Sequence, residues 1–497
     1  MSIACRCRPR DAVTPTTRTW LALDQGGQSS RAILYDDEGH EIAAARVPVA
    51  TTRVGADRVE HDPDEIVASL VDAARQALAR HGAAPWPAAA GLATQRSSLV
   101  CWHRDSLEAL SPVLSWQDTR AAARLAPLRA HAAQVRQLSG LPLSPHYGAT
   151  KIRWCVENLP AVRDAAGRGK LVAGPLATFV ATRLAGEPVP VDPANASRTQ
   201  LWDAARGDWS PALLALFGID RAWLPAPGFT TLELPITEQS VPGTRISVIT
   251  GDQSAVPFAW GPAREDTLFL NLGTGAFLQR ATGTRRPEPG DLLGSVLYGD
   301  ATRTLYSLEG TVNGAAGAIE WFAAQERLDL DAAWRRWEAK DRATRATPAL
   351  LFLNGVAGLG SPYWRNDFTP RFIGDGDTDA RFAALLASIA YLIRENVDRL
   401  REAGPIARAI VTGGLAQSNG LLGLIADVCG LPLLRPAQAE ATARGLYGLL
   451  ARPDATSSDR IAGETFVPDP AADAGPGFER WRRTLRAELA GSATSGG

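Results

Sequence analysis

The chain has 497 residues, enough for two or three domains at roughly 100–200 residues each. Hydrophobic residues make up 45% and charged residues 21%, the balance of a globular protein with a sizeable core. Lys+Arg number 52 against 53 Asp+Glu, so the formal net charge is -1, which excludes bulk attraction to nucleic acid or an anionic membrane as its main mode of action. No apolar run reaches the ~18–20 residues that span a bilayer.

The five cysteines (Cys5, Cys7, Cys101, Cys155, Cys429) are odd in number and scattered, which argues against a disulfide framework and for free thiols in a cytoplasmic protein. Lysine occurs only at Lys151, Lys170 and Lys340; arginine carries the rest of the positive charge, a bias read as compositional. Residues 1–18 are polar and Arg-rich without an apolar core of their own, and read as a disordered extension.

The ordered part opens with the apolar run Trp20–Asp24, a turn through Gly26-Gly27, then Arg31–Tyr35, a second turn, and Glu41–Val49. Three short runs separated by turn residues predict an antiparallel meander. Apolar spacing over Pro63–Arg80 predicts a helix, with Asp62 as its N-cap and Pro63 in its first turn. Ala88–Thr94 and Leu99–Trp102 read as strands. A similar order returns later: strands at Ile246–Thr250, Thr267–Leu272, Phe277–Arg280 and Thr304–Leu308, helices at Ala315–Arg327 and Ala380–Leu400, and a strand at Arg408–Thr412. The repetition predicts a duplicated α/β domain with a boundary near residue 250. Phe478–Leu489 reads as one amphipathic helix ahead of a flexible end.

Three turns follow strands and offer backbone N–H groups to phosphate: Asp24–Ser30, Gly273-Thr274-Gly275, and Gly413-Gly414 with Ser418 at a helix start. Each alone is more often a plain tight turn. A Walker A motif is absent, and so is a Rossmann G-x-G-x-x-G after any predicted strand. Asp24 and Asp252 both follow strands, where a carboxylate faces the cleft of an α/β fold. Such residues can hold Mg2+ or accept a proton in phosphoryl transfer; an Asx turn is the bland alternative. The six histidines form no metal-ligand pattern, and no nucleophile elbow is present.

Taken in order, these pieces resemble the FGGY carbohydrate kinases, and within them the glycerol-kinase pattern. The matching segments are Leu23–Ala32, Val59–Pro63, Thr94-Gln95-Arg96, Trp116–Arg120, Pro145–Lys151, Gly251-Asp252-Gln253, Leu272–Phe277, Gly358–Trp364 and Gly413-Gly414. The resemblance runs from about residue 19 to 452. It implies an α/β fold of two ribonuclease-H-like (actin-like ATPase) domains around a central cleft. Segment 19–249 would carry the acceptor side and first phosphate loop, 250–452 the nucleotide side, and 453–497 a C-terminal tail. Carried over by motif, Asp252 would be the base. Arg96, Ser97, Trp116, His146 and Gln253 would line the acceptor pocket. Gly27, Gln28, Ser29, Arg31, Gly273, Thr274, Ala316, Glu320, Gly413, Gly414 and Ser418 would meet ATP, and Asp24 would meet Mg2+. The partner would be a small polyol or sugar, with a homodimer or homotetramer as the candidate assembly.

The departures bear on substrate. The first loop has Gly27-Gln28 where the pattern has two threonines, so two phosphate-facing hydroxyls are replaced. The pattern's Arg-Glu pair becomes Arg96-Ser97, which removes a carboxylate that would accept hydroxyl hydrogen bonds, and the pocket tyrosine aligns with His146, or with Tyr147 after a slip of one. Ala316 and Glu320 stand where Gly and Gln are usual. These changes predict a kinase for a polyol or sugar other than glycerol. The alternative is a weak or inactive member of the same fold that binds nucleotide or metabolite as a regulator.

Overall fold

The structure, a computed structural model, describes residues 18–82, 87–237, 241, 243–438, 440–452 and 461–494. The expected extension over 1–18 therefore falls almost wholly outside the described residues, as do Cys5, Cys7 and the last three residues.

The first sheet is built from β1 (Trp20–Gln25), β2 (Ser29–Tyr35), β3 (Glu41–Pro48), β4 (Ala89–Thr94), β5 (Thr231–Pro235) and β6 (Arg245–Gly251) in the order β5-β6-β4-β1-β2-β3. The meander β1-β2-β3 is antiparallel as expected, and β4 and β6 run parallel to β1. Helix α1 (Pro63–His81) covers one face. The Asp62 side chain accepts from the Asp64 and Glu65 amides at 2.8 and 3.1 Å, and Ile66, Leu70, Ala73, Ala74 and Ala77 point inward at helical spacing. A smaller sheet of Thr52–Val54, Arg58–His61, Val113–Leu114, Leu99–His103 and Leu171–Pro175 lies beside it and packs on helix α2 (Gly148–Asn158).

The second sheet contains β7 (Thr267–Leu272), β8 (Ala276–Gly283), β9 (Leu293–Gly299), β10 (Thr304–Val312), β11 (Arg408–Thr412), β12 (Leu433–Pro436) and β13 (Gly463–Phe466) in the order β9-β10-β8-β7-β11-β12-β13. Without β9, its order and strand senses repeat those of the first sheet: an antiparallel meander, two parallel strands, and a closing antiparallel strand. The predicted duplication is thus present in the hydrogen bonding.

Two expectations are corrected. Ile246–Thr250 does not open the second half; as β6 it pairs with β4 and β5 and completes the first sheet. Asp24 and Asp252 consequently lie on one sheet, two strands apart, not at equivalent points of two halves. The strand expected over Thr304–Leu308 does not end before Glu309, because β10 continues through it to Val312. A carboxylate can sit inside a buried strand there because two arginines of the first half meet it, as described below.

The chain crosses from the first sheet to the second through the short helix α3 (Asp252–Ala255) and the turn Val256–Phe258. In the second half, α4 (Ala316–Glu326), α5 (Thr378–Arg401) and α6 (Asn419–Cys429) flank the sheet. Helix α7 (Ala441–Ala451) returns to the first half, where Leu446 and Leu450 lie over Gly91 of β4. The two crossings touch backbone to backbone: a Cβ on Gly445 would stand 2.0 Å from the Ala255 carbonyl oxygen. Residues 461–494 are no loose tail. β13 pairs with β12, and α8 (Gly475–Thr494) buries Trp481, whose indole N–H donates to the Phe352 carbonyl at 2.9 Å. Cys101, Cys155 and Cys429 are buried free thiols. Among the described residues, no helix is long and apolar enough to cross a membrane.

Candidate active site

Strands β1, β4 and β6 are parallel, so the residues that follow them collect at one edge of the first sheet. Asp24 lies near the end of β1, Arg96 two residues beyond β4, and Asp252 directly after β6. Asp252 Oδ1 accepts from the Gln253 amide at 2.7 Å and lies 3.9 Å from Arg96 Nε. The Arg96 stem passes directly over Gly251, whose Cβ would meet it at 2.4 Å, so a side chain at 251 would displace the arginine. Burial raises the proton affinity of Asp252, and Arg96 opposes that rise.

Arg96 is held by a residue that no sequence motif points to. Glu309, fully buried on β10, accepts from Arg96 Nη1 and Nη2 at 2.7 and 3.2 Å, from Arg198 Nη1 at 3.0 Å and from Gln279 Nε2 at 3.0 Å. Burial pushes its carboxyl up, but the two guanidinium groups outweigh it and hold the pKa at about 2. The charge cluster thus joins the two halves directly behind Asp252. Its one signal in the sequence is a lone charge in the apolar strand pattern around Leu308.

Asp24 is buried, 4.0 Å from Arg31 Nη1, and Arg31 pairs in turn with Glu440 at the start of α7. Burial, reinforced by the charge of Asp252, lifts Asp24 to about 7 despite Arg31. A buried carboxylate with so high a proton affinity suits a divalent cation, which would relieve the same repulsion. Among the described residues no group of three or more His, Cys, Asp or Glu could enclose a metal, so a cation here would take most of its ligands from water or substrate.

A cavity of about 500 Å³ lies between the sheets. It brings together Arg31 and Gln253 of the first half and Gly413 and Gly414 of the second, with Asn271, Thr412 and Glu440. The other expected nucleotide residues are not among those that line it. In the first loop the Gly26 amide donates to the Ser29 carbonyl at 3.0 Å, Gln28 is exposed, and the Ser29 hydroxyl accepts from Arg46 Nε at 2.9 Å. A side chain at Gly27 would fit: an added Cβ would make one ordinary contact, with Gln95 Oε1 at 3.8 Å. The Thr274 carbonyl accepts from Ala315 and Gly317 at 2.9 Å each, and that of Gly273 accepts from Ala316 at 3.1 Å, which ties this turn to the start of α4. Glu320 is exposed one turn further on. The Ser418 hydroxyl caps α6 by accepting from Leu421 at 3.2 Å and meets Glu338 at 3.2 Å.

The other expected acceptor residues, Ser97, Trp116 and His146, are joined to the Arg96 turn by the chain and by hydrogen bonds, whereas Gln253, expected with them, lines the cavity instead. Trp116 is 46% exposed, an apolar surface left open to solvent. Ser97 is half-buried in a left-handed conformation, φ 63°, with its hydroxyl 3.5 Å from Arg198 Nε. His146 Nδ1 meets the Trp116 carbonyl at 3.0 Å, and burial lowers its pKa. Tyr147 is buried, with the Arg198 guanidinium 5.2 Å from its ring centre. Both residues of the ambiguous register are therefore in the region, the histidine on Trp116 and the tyrosine on the charge cluster.

Residues 19–231 match the N-terminal domain, and residues 268–452 the C-terminal domain, of the FGGY family of carbohydrate kinases. The chain belongs to this family, and is thereby a phosphotransferase. Among curated relatives of this FGGY kinase, the glycerol kinase of Alkalilimnicola ehrlichii is 35% identical over 449 residues, covering 87% of this chain and 89% of the relative. That of Acidovorax sp. is 31% identical over 490 residues, covering 94% and 98%. The fold is shared with Plasmodium falciparum glycerol kinase solved with ADP (TM-score 0.85, 21% identity, 95% and 98% covered). It is shared too with the xylulose kinase (0.82, 18%, 96% and 99%) and gluconate kinase (0.81, 19%, 95% and 98%) of Lactobacillus acidophilus.

Proposed function

We propose that this FGGY kinase transfers the γ-phosphoryl group of ATP to a hydroxyl of a small polyol or sugar other than glycerol, with Asp252 as the base. The observation that carries the reading is the position of Asp252: at a strand end, 3.9 Å from buried Arg96, with the next residue, Gln253, lining the cavity together with Arg31, Gly413 and Gly414. A carboxylate whose proton affinity is raised by burial can orient an attacking hydroxyl and take up its proton. Arg96 fixes that carboxylate, and the Glu309 cluster fixes Arg96. Arg31 and the backbone of Gly413-Gly414 receive phosphate oxygens.

Asp24 is the residue to hold Mg2+, which when bound neutralises charge on the transferring phosphates. The relatives support the nucleotide and the acceptor class: one is solved with ADP, and their names cover glycerol, xylulose and gluconate. Ser97 sets this chain apart, because a hydroxyl offers no charged acceptor for substrate hydroxyls and leaves more room.

The test is coupled ADP release from Mg-ATP with glycerol, erythritol, pentitols, hexitols, ketopentoses and aldonates, with Asp252→Asn beside the wild type. Turnover of a non-glycerol acceptor that disappears in the variant supports the proposal. Preferred turnover of glycerol overturns the substrate choice. Silence across the panel with ADP still bound favours the regulator, and the exposed Gln28 in the first loop is the observation on its side.

A further inference from the structure

Lys151 is one of three lysines in the chain, and its side chain is fully buried on α2. Its amine donates to two backbone carbonyls, those of Ser97 at 3.2 Å and Ser115 at 2.7 Å. These belong to separate segments: one follows β4 and presents Arg96 and Ser97, the other presents Trp116. Two further bonds complete the junction. The Trp116 amide donates to Ser98 Oγ at 3.0 Å, and Ser98 Oγ donates to Gln95 Oε1 at 3.0 Å. The same α2 is preceded by His146, which meets the Trp116 carbonyl. Ser97 is also a non-glycine residue in the left-handed region, a conformation that persists only where its surroundings enforce it. The Lys151 bond to its carbonyl is such an enforcement. Burial lowers the lysine's pKa to about 7, yet two N–H groups remain on the neutral amine, so both carbonyls stay covered in either state.

We propose that Lys151 is a positioning residue for the acceptor: it fixes the spacing between the Arg96-Ser97 turn and Trp116 by binding both backbones, and so sets acceptor affinity without touching the acceptor. The proposal rests on the reading that Arg96, Ser97 and Trp116 receive the acceptor. An arginine could not replace the lysine, because its planar fork is wider than a slot that holds one amine.

The test uses the full chain with Lys151→Met, which keeps the length and removes the donors, and Lys151→Gln, which keeps donors on a shorter stem. KM and kcat are measured with whichever of glycerol, xylulose and gluconate the wild type turns over, and ADP affinity by calorimetry. The expected result for Lys151→Met is an acceptor KM raised at least tenfold, a kcat lowered less than threefold and an ADP Kd within twofold, with Lys151→Gln between it and wild type. Hydrogen exchange reads the junction without turnover: peptides over 95–99 and 114–118 exchange at least tenfold faster in Lys151→Met, while 412–415 is unchanged. Unchanged exchange and KM overturn the proposal. So do acceptor KM and ADP Kd rising together, or failure of both variants to fold, since each assigns Lys151 to general stability. A wild type that binds ADP but turns over no acceptor, with exchange still faster in the variant, instead counts against the acceptor reading and leaves the junction established.

Discussion

Replacing Asp24 by Asn separates its cost to folding from its use in catalysis. The pKa rises from 3.8 to about 7 on folding. A carboxyl whose folded value lies above its unfolded one opposes folding once ionised, with a cost that grows from pH 4 and levels off above pH 7. About 3 units at 1.36 kcal/mol each is ~4 kcal/mol at pH 8.5, and ~1.6 kcal/mol at pH 5. Asn resembles the protonated acid and escapes this cost. At roughly 2–4 °C per kcal/mol for a unit of this size, the metal-free variant should melt about 8–16 °C higher than wild type at pH 8.5, and about 3–6 °C higher at pH 5. Scanning calorimetry in chelator at both pH values reads the difference. Addition of Mg-ADP should stabilise the wild type more than the variant, because only the former holds a carboxylate for the cation. A variant less stable than wild type at pH 8.5, or a difference equal at the two pH values, would refute the argument.

Asp252→Asn should lower kcat by ~10²-fold or more with ADP affinity preserved; a loss below tenfold in steady-state assays would remove it from the role of base. Glu309 has the opposite sign from Asp24: its pKa falls from 4.5 to about 2, so its stabilisation is complete above pH 4.5 and is lost as pH falls through about 2. Glu309→Gln should therefore cost ~3 kcal/mol at pH 6 and progressively less towards pH 2; urea titrations that give equal losses at pH 6 and 2.5 would contradict this. In the same variant acceptor KM should rise, because Arg96 and Arg198 lose the charge that aims them.

Much of the candidate site is legible in the sequence because strand ends carry a local signature. The meander, the α1 cap and the three glycine turns follow from turn chemistry within a few residues. What stays hidden is whatever depends on a partner far along the chain. The apolar run Ile246–Thr250 reads the same in either sheet; only its pairing with β4 and β5 assigns it. Glu309 reads as a strand end because its compensating charges, Arg96 and Arg198, are 213 and 111 residues away. Lys151 is visible as a rare lysine in an arginine-rich chain, but composition alone gives it no role. A slot that admits one amine between two carbonyls has use for the point donor that arginine is not.

The duplicated sheets also explain how one architecture divides its labour. β1 and β4 align Gln25 with Thr94 at their ends, as β7 and β11 align Asn271 with Thr412. Two residues past those threonines stand Arg96 in the first half and Gly414 in the second. One position thus carries a charged side chain where the acceptor is proposed to bind, and bare backbone where phosphate is proposed to bind. Gly414 has open space around it, with nothing within 4 Å of an added Cβ. Gly413, in contrast, has φ 96°, and its Cβ would meet Asn271 Oδ1 at 2.5 Å. Gly413→Ala should therefore destabilise the fold by about 1–3 kcal/mol. Gly414→Ala should change stability by less than about 0.5 kcal/mol. If phosphate approaches that backbone, it should nonetheless weaken ADP binding at least fivefold in calorimetry, because the new methyl occupies the approach. ADP affinity within twofold of wild type in a stable Gly414→Ala protein would show that the phosphates lie elsewhere in the cavity, and would leave Arg31 as the residue to follow.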